Sequence, residues 1–319
     1  VPTAVRSEPL VTARSLVKRY GSVPVLDDVS FTVTPGVTGL LGANGAGKTT
    51  ILGMILGLHP ADGGELDVLG HNPWTAGHQV RARIGYAPEH HTLPPDLRAA
   101  EFVRHVAELH GLPPDEATTR ASDALWLVDL GEERFRPMGT MSTGQRQRVK
   151  LAQAIAHDPE FVLLDEPTDG LDPTQRDVML DLIRHISEDF GITVVLSSHL
   201  IDEVERVCDG AIIIGEGRTL AAGTIEELKG GGGVGVALEL DASDEAIDRF
   251  VTELERLPGL TVEAHNRHLH VSRNDGVDST TSSEVLAAVR DGCADHGIGI
   301  VRLERRRLRL EDVFLGSMR

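Results

Sequence analysis

Basic residues are in short supply: 31 lysines and arginines face 49 acidic residues, leaving a formal net charge of −18. A nucleic-acid surface needs Lys and Arg clustered against phosphates, so this balance argues against a nucleic-acid partner. The lysines are Lys18, Lys48, Lys150 and Lys229; every other formal cation is arginine. Cysteine is nearly absent. Cys208 and Cys293 stand far apart and in no metal-ligand spacing, a usage that fits a reducing compartment. No stretch approaches the ~20 apolar residues of a membrane span, and Val1 to Tyr20 has no apolar core of a signal peptide. The expectation is a chain that neither enters nor crosses a bilayer unaided. Its 319 residues, 40% hydrophobic and 25% charged, suffice for one large α/β domain and a smaller one.

Glycine, by contrast, is concentrated where it can do chemistry. Gly42-Ala43-Asn44-Gly45-Ala46-Gly47-Lys48-Thr49 fits G-x-x-x-x-G-K-[S/T]. It follows the apolar run Gly36 to Leu41, which reads as a buried strand, and precedes the helix-capable segment Lys48 to Leu58. In that context the pattern reads as a phosphate-binding loop. The glycines let the backbone curl so that successive N–H groups face anionic oxygens, and the helix N-terminus adds its partial positive charge. Gly42, Asn44, Gly45, Ala46, Gly47, Lys48, Thr49 and Thr50 are the expected cradle of a nucleoside triphosphate. Lys48 would reach the β- and γ-phosphates, and Thr49 would hold a Mg²⁺.

Phe161-Val162-Leu163-Leu164-Asp165-Glu166 supplies a second element. Four apolar residues make a strand buried on both faces, with two carboxylates at its C-terminal end, where ligands sit in open α/β sheets. Asp165 would bind Mg²⁺ through water, and Glu166 would accept a proton from the attacking water. A third element is Met141-Ser142-Thr143-Gly144-Gln145, which opens a helix running through Val149, Ala152 and Ile155. Ser142 is a good N-cap, and the N–H groups of that turn form a second anion site. Two phosphate-binding helix starts and one lysine-bearing loop are explained most economically if the second completes the nucleotide pocket of another copy.

Along the chain, residues 1–9 read as disordered, and Leu10 to Val33 as two antiparallel strands. Between Pro88 and about His157 the pattern turns helical, at Ala99 to His110 and Glu116 to Leu130. Strand-like runs return at Phe161–Leu164, Thr193–Leu196 and Ala211–Ile214, with helices Thr174 to Glu188 and Ile201 to Val207 between them. That is the β-α-β alternation of a parallel sheet covered on both faces. Lys229 to Gly235 reads as a flexible hinge. Beyond it come strand Val236–Leu240, helix Asp244–Leu257, a hairpin of Thr261–Ala264 and His268–Val271, helix Ser283–His296 and strand Ile298–Arg305. This β-α-β-β-α-β order is the split ferredoxin-like arrangement.

With these motifs in place, the chain resembles the nucleotide-binding subunit of an ATP-binding-cassette (ABC) transporter over about Val11 to Gly223. The family's signature appears as Met141 to Gln145, its D-loop as Asp169-Gly170-Leu171-Asp172, and its switch histidine as His199. Tyr20 sits where the family stacks an aromatic ring on adenine, a contact worth about 1–3 kcal/mol. The resemblance implies an α/β fold: a P-loop ABC ATPase domain with a mixed sheet, RecA-like core and helical subdomain, plus the small C-terminal α+β domain. The expected boundaries are 10–228 (helical subdomain about 88–157), linker 229–235 and accessory domain 236–319. It also implies ATP and Mg²⁺ as ligands, with Glu166, His199 and Lys48 catalytic. Ser142, Gly144, Gln145 and Asp172 would complete the site across a head-to-tail dimer. Two departures stand out: Glu89 replaces the glutamine that senses Mg²⁺, and Thr143 replaces the first signature glycine.

The resemblance leaves three classes open. Leu310-Glu311-Asp312-Val313-Phe314-Leu315 resembles the ending common in exporter ATPase subunits, and Glu89 and the short accessory domain point the same way. An importer subunit is the alternative, for which the sensing glutamine and often a barrel-like C-terminal domain are expected. A soluble ATPase acting on DNA or ribosomes is the third; DNA-repair types carry long insertions between motifs, and ribosome-acting types two cassettes. The exporter reading implies a separate membrane permease, a second ATPase copy, and a peripheral location on the cytoplasmic face of the plasma membrane. Weaker signals have bland readings. Arg302, Arg305, Arg306, Arg307 and Arg309 read as a solvated strand face, and His265, His268 and His270 lack a metal-ligand pattern. His90-His91 reads as surface beside the sensing loop.

Overall fold

Alternation of apolar and polar residues makes the first elements a hairpin. Strand β1 (Val11–Tyr20) pairs antiparallel with β2 (Val23–Val33), burying Leu16, Leu26, Val29 and Phe31 beneath it. The computed structural model describes residues 8–90, 93–229, 234–257, 260–265, 267–273 and 279–307. Strand β3 (Val37–Leu41) is buried along its whole length and runs into the Gly-rich loop and helix α1 (Lys48–Ile55). That helix stops short of the expected Leu58. Gly57 adopts φ +68, and the Leu58 N–H turns back to the Gly53 carbonyl, a left-handed helix ending that glycine favours. Strand β4 (Gly63–Val68) then pairs antiparallel with the far edge of β1. Its Gly-Gly start leaves only four alternating residues, too few to mark a strand in the sequence. The short helix α2 (Gly77–Arg81) follows, and then β5 (Ile84–Ala87).

The helical segment comprises α3 (Ala99–Leu109), α4 (Pro114–Leu127) and α5 (Thr143–Ile155). Pro114 stands at the first turn of α4, where its missing N–H costs nothing. The chain then re-enters the sheet through β6 (Phe161–Asp165), α6 (Pro173–Phe190), β7 (Thr193–Ser198), α7 (Ile201–Val207), β8 (Gly210–Gly215) and β9 (Arg218–Thr224). Among the described residues the sheet order is β5-β6-β7-β3-β8-β9, with β5–β6, β6–β7, β7–β3 and β3–β8 parallel. β1, β2 and β4 form a separate antiparallel sheet, so the architecture mixes both strand senses as expected. Strands β3, β6 and β7 are buried at every position, which is why they read as apolar runs rather than alternating ones. Their C-terminal ends place Gly42, Asp165 and Ser198 along one edge.

The chain divides into two compact units, Val1–Gly223 and Thr224–Arg319. The second opens with the single-turn helix α8 (Ile225–Leu228), capped by the Thr224 hydroxyl on the Glu227 N–H. The expected linker 229–235 falls mostly outside the described residues, and Val234 and Gly235 already belong to β10 (Val234–Asp241). Next come α9 (Asp244–Glu255), β11 (Leu260–His265), β12 (His268–Arg273), α10 (Ser279–Asp295) and β13 (Gly299–Arg307). The strand order β11-β12-β10-β13, all pairs antiparallel, is the split β-α-β arrangement that the sequence predicts. Its core gathers Val236, Leu238 and Leu240 from the sheet with Phe250, Leu254, Val289 and Cys293 from the helices. The exporter-like ending Leu310–Leu315, His91, Arg309 and all but Glu8 and Pro9 of the segment 1–9 expected to be disordered lie outside the described residues.

Candidate functional site

The loop between β3 and α1 bends only because glycine permits it. Gly45 and Gly47 hold φ of +84 and +106, and a side chain at 47 would press on Leu26 Cδ2 at 2.6 Å. The turn aims the start of α1 into an open cleft of about 450 Å³. Asn44, Gly45, Gly47, Lys48, Thr49, Thr50, Glu89, Asp165 and Glu166 line it together with Val25 and His90. Most of the expected phosphate- and metal-binding residues therefore meet in one place.

Polar contacts lock the cleft floor. Lys48 is buried, and its Nζ donates to the Gly42 carbonyl (2.7 Å) and stands 3.1 Å from Glu166 Oε1. The other Glu166 oxygen, Oε2, lies 2.9 Å from His199 Nδ1. Glu166 thus sits between an ammonium and an imidazole, itself nearly inaccessible to solvent. Its backbone is left-handed at φ +47, a strained conformation for a side-chain-bearing residue that costs about 1–3 kcal/mol and clusters at functional sites. The strain is offset by Ser197, whose hydroxyl accepts from the Glu166 N–H (2.9 Å) and donates to Asp165 Oδ1 (2.6 Å). Asp165 Oδ2 in turn accepts from the Thr49 hydroxyl at 3.2 Å. Burial above all, and then the nearby Asp165 and Glu89 carboxylates, push the Tyr86 phenol up to about 12.

The remaining expected residues assemble elsewhere. Ser142 caps α5: its hydroxyl accepts from the Gln145 N–H, while Gln145 Oε1 accepts from the Ser142 N–H, a reciprocal capping box. Gly144 packs so closely on Gln175 that a methyl group there would overlap the amide. Asp172 caps α6 through the Gln175 N–H at 2.9 Å, and Gln147 Nε2 reaches the Asp169 carbonyl at 3.3 Å. The N-termini of α5 and α6 therefore stand side by side and carry Ser142, Gly144, Gln145 and Asp172. None of these lines the cleft. Tyr20, at the end of β1, is half-exposed with its ring edge-on to His59 and also lies outside the cleft lining.

Glu89 follows β5, and its loop is held from behind. Lys150 on α5 is buried, and its Nζ donates to the carbonyls of Pro88 (3.2 Å) and Glu89 (2.7 Å). One turn further along α5, Gln153 donates to the Tyr86 carbonyl at 2.6 Å. Gly85 lets α5 approach β5 so closely that an added Cβ would overlap the Ala154 carbonyl oxygen. Burial lowers the Lys150 pKa, although Glu89 opposes that shift. Sequence reasoning missed Ser197, Lys150 and Gln153. Ser197 alone left a signal, a hydroxyl at the end of an otherwise apolar strand.

Among the described residues no group of three or more His, Cys, Asp or Glu side chains could hold a metal unaided. The Thr49 hydroxyl and Asp165 carboxylate form instead an all-oxygen pair. This suits Mg²⁺, which commonly completes its shell with phosphates and water. No helix among the described residues is long and apolar enough to cross a membrane.

Comparison with known proteins agrees with this geometry. The family described as ABC transporter matches residues 26–169. The linearmycin resistance ATP-binding protein LnrL of Bacillus subtilis is 31% identical over 96% of this chain and 97% of its own length. The Nod factor export ATP-binding protein I of Ralstonia nicotianae is 31% identical over 98% and 94%. The daunorubicin resistance ATP-binding protein DrrA3 of Streptomyces coeruleorubidus is 33% identical over 96% and 94%. Among solved structures, an ATP-binding subunit of an ABC transporter aligns at TM-score 0.61, 29% identical, over 69% of this chain and 92% of that one. The cbiO1 protein of Clostridium perfringens, part of the transporter complex cbiONQ, gives 0.64 and 26% over 70% and 91%. A dimeric bacterial ABC transporter cassette gives 0.60 and 25% over 67% and 98%. The chain belongs to the ABC transporter family, as an ATP-hydrolysing, ATP-binding subunit of the exporter type.

Proposed function

We propose that this subunit energises efflux through a separate membrane permease, working as a head-to-tail pair at the cytoplasmic face of the plasma membrane. The observation that carries the catalytic reading is Glu166, held between Lys48 at 3.1 Å and His199 at 2.9 Å beside the phosphate loop. When ATP enters, the loop N–H groups and the start of α1 cradle its phosphates, and Lys48 exchanges Glu166 for β- and γ-phosphate oxygens. Thr49 would hold Mg²⁺, with Asp165 and Glu89 binding it through water, and the ion would neutralise phosphate charge. Glu166 takes the proton of the attacking water as that water's oxygen bonds to the γ-phosphorus. The bond from the γ-phosphorus to the β–γ bridging oxygen breaks, leaving ADP and phosphate. His199 orients the γ-phosphate. Tyr20 stacks on adenine.

The second copy supplies what one cleft lacks. Ser142, Gly144 and Gln145 at the N-terminus of α5 would meet the γ-phosphate held by the partner's loop, with Asp172 at the adjoining turn. Three observations support this. The four residues are gathered at the adjoining N-termini of α5 and α6, with Ser142 and Asp172 exposed there, they lie outside their own cleft, and a related cassette is dimeric. The relatives are named for linearmycin resistance, daunorubicin resistance and Nod factor export; the cargo here is set by the permease.

Glu166→Gln tests the reading. It should lower hydrolysis by about 10²–10⁴-fold, the range for a lost general base, while ATP-dependent dimers accumulate on size exclusion. Hydrolysis at the wild-type rate would remove Glu166 from the role of base. Purifying that variant with ATP from native membranes should also bring down a multi-span partner; ribosomes or DNA-repair proteins in its place would overturn the exporter assignment.

A further inference from the structure

Glu203 is a charged residue that the mechanism above does not use, yet it is 3% exposed. It projects from α7 into the space behind the two catalytic segments. Its Oε2 accepts the Thr168 hydroxyl and the Ser198 hydroxyl, both at 2.8 Å, and its Oε1 lies 3.2 Å from Arg176 Nε on α6. A buried carboxylate with two hydroxyl donors and a guanidinium is an expensive arrangement to assemble, and removing one partner leaves the rest uncompensated.

The donors matter because of where they stand. Thr168 lies two residues beyond Glu166, in the turn where the Asp169 N–H returns to the Glu166 carbonyl at 3.1 Å. Ser198 immediately precedes His199, and its hydroxyl also accepts the Leu200 N–H at 3.0 Å. One hydroxyl therefore fastens the backbone on both sides of His199, and the Glu203 carboxylate sets which way that hydroxyl points. Arg176 extends the same cluster to α6, whose first turn is capped by Asp172.

We propose that Glu203 is a positioning residue: it fixes the turn after Glu166 and the backbone around His199 to each other, and so holds the 2.9 Å Glu166–His199 contact. It lies outside the cleft lining and acts through Ser198 and Thr168. The inference rests on the roles proposed above for Glu166 and His199.

Glu203→Gln keeps the shape but removes the charge from Arg176 and gives the two hydroxyls a mixed donor–acceptor partner. In the full-length chain, kcat for ATP should fall about tenfold to a hundredfold, the range for misplaced catalytic groups, while KM and nucleotide affinity stay within about threefold. The ring-nitrogen NMR signal of His199, identified by its loss in His199→Ala, should shift as the Glu166 contact loosens. Should Glu203→Gln fail to fold, Ser198→Ala deletes one hydroxyl and carries the same expectations. A wild-type kcat in these variants, with Glu166→Gln and His199→Ala inactive, would overturn the positioning role and leave the site assignment standing. A fall in kcat with an unmoved His199 signal, or kcat and affinity lost together, would make Glu203 structural only and overturn it likewise. Wild-type hydrolysis by Glu166→Gln and His199→Ala would overturn the site assignment and this inference with it.

Discussion

His157 makes the stability of the first unit depend on pH, and the size of that dependence follows from its surroundings. The residue lies just beyond α5 with its ring stacked on His110, centroids 3.7 Å apart and planes 16° from parallel. Burial, with His110 adding to it and the nearby Ile84 backbone opposing, lowers its pKa from 6.5 to about 4, and neither ring nitrogen has a hydrogen-bond partner among the described residues. Above pH 6.5 the ring is neutral in both folded and unfolded chains and no stability is lost. As pH falls below 6.5 the unfolded chain takes up a proton that the folded chain refuses, so stability drops until the folded ring titrates near 4. The whole window is worth about 3 kcal/mol, and about 2 kcal/mol is already lost at pH 5.

The assay is urea unfolding of the full chain, followed by tryptophan fluorescence at pH 7.5 and pH 5. Both tryptophans, Trp74 and Trp126, belong to the unit Val1–Gly223, so the signal reports the unit that holds His157. His157→Phe keeps a flat ring against His110 and cannot titrate. Other groups titrate alike in both proteins, so wild type should lose about 2 kcal/mol more than the variant between the two pH values. Equal losses, within about 0.5 kcal/mol, would refute the burial argument, because an accessible or hydrogen-bonded imidazole would keep its ordinary pKa.

Other consequences are as direct. Gly85→Ala should destabilise the first unit by about 1–3 kcal/mol or more in the same assay, since its Cβ meets the Ala154 carbonyl backbone rather than a movable side chain. Gly47→Ala should abolish binding of a fluorescent ATP analogue, because φ +106 and the Leu26 contact oppose any side chain in the phosphate loop; binding at wild-type affinity would refute the fit of that turn. Lys150→Met should destabilise the first unit by about 1–3 kcal/mol, since it leaves the Pro88 and Glu89 carbonyls without their donor. The same variant should speed amide exchange at Glu89 and His90, whose loop loses the donor at the Pro88 and Glu89 carbonyls; unchanged exchange would mean that α5 does not hold this loop.

What could be read from the sequence, and what could not, divides along a physical line. Chemistry carried by backbone geometry is local: Gly45, Gly47 and Lys48 must be adjacent to form a phosphate turn, and Ser142 and Gln145 must be three apart to cap a helix. Such features survive as strings, as do strands such as β3 and β6, whose burial on both faces leaves only apolar residues. β4 leaves too short a string: two glycines open it, and only Glu65, Leu66, Asp67 and Val68 remain to alternate. Contacts between distant segments leave no such string. Lys150 lies 62 residues from Pro88, and Glu203 lies 35 from Thr168; each meets its partner only because the parallel sheet brings β5, β6 and β7 together. The sequence does, however, show that such partners must exist. Ser197 and Ser198 end a strand otherwise composed of Thr193, Val194, Val195 and Leu196, and a hydroxyl buried there must be hydrogen-bonded at no small cost if it is not. Asking what each buried polar side chain on an apolar strand is bonded to leads from Ser197 to Asp165 and from Ser198 to Glu203, and so from the cleft to the buried carboxylate behind it.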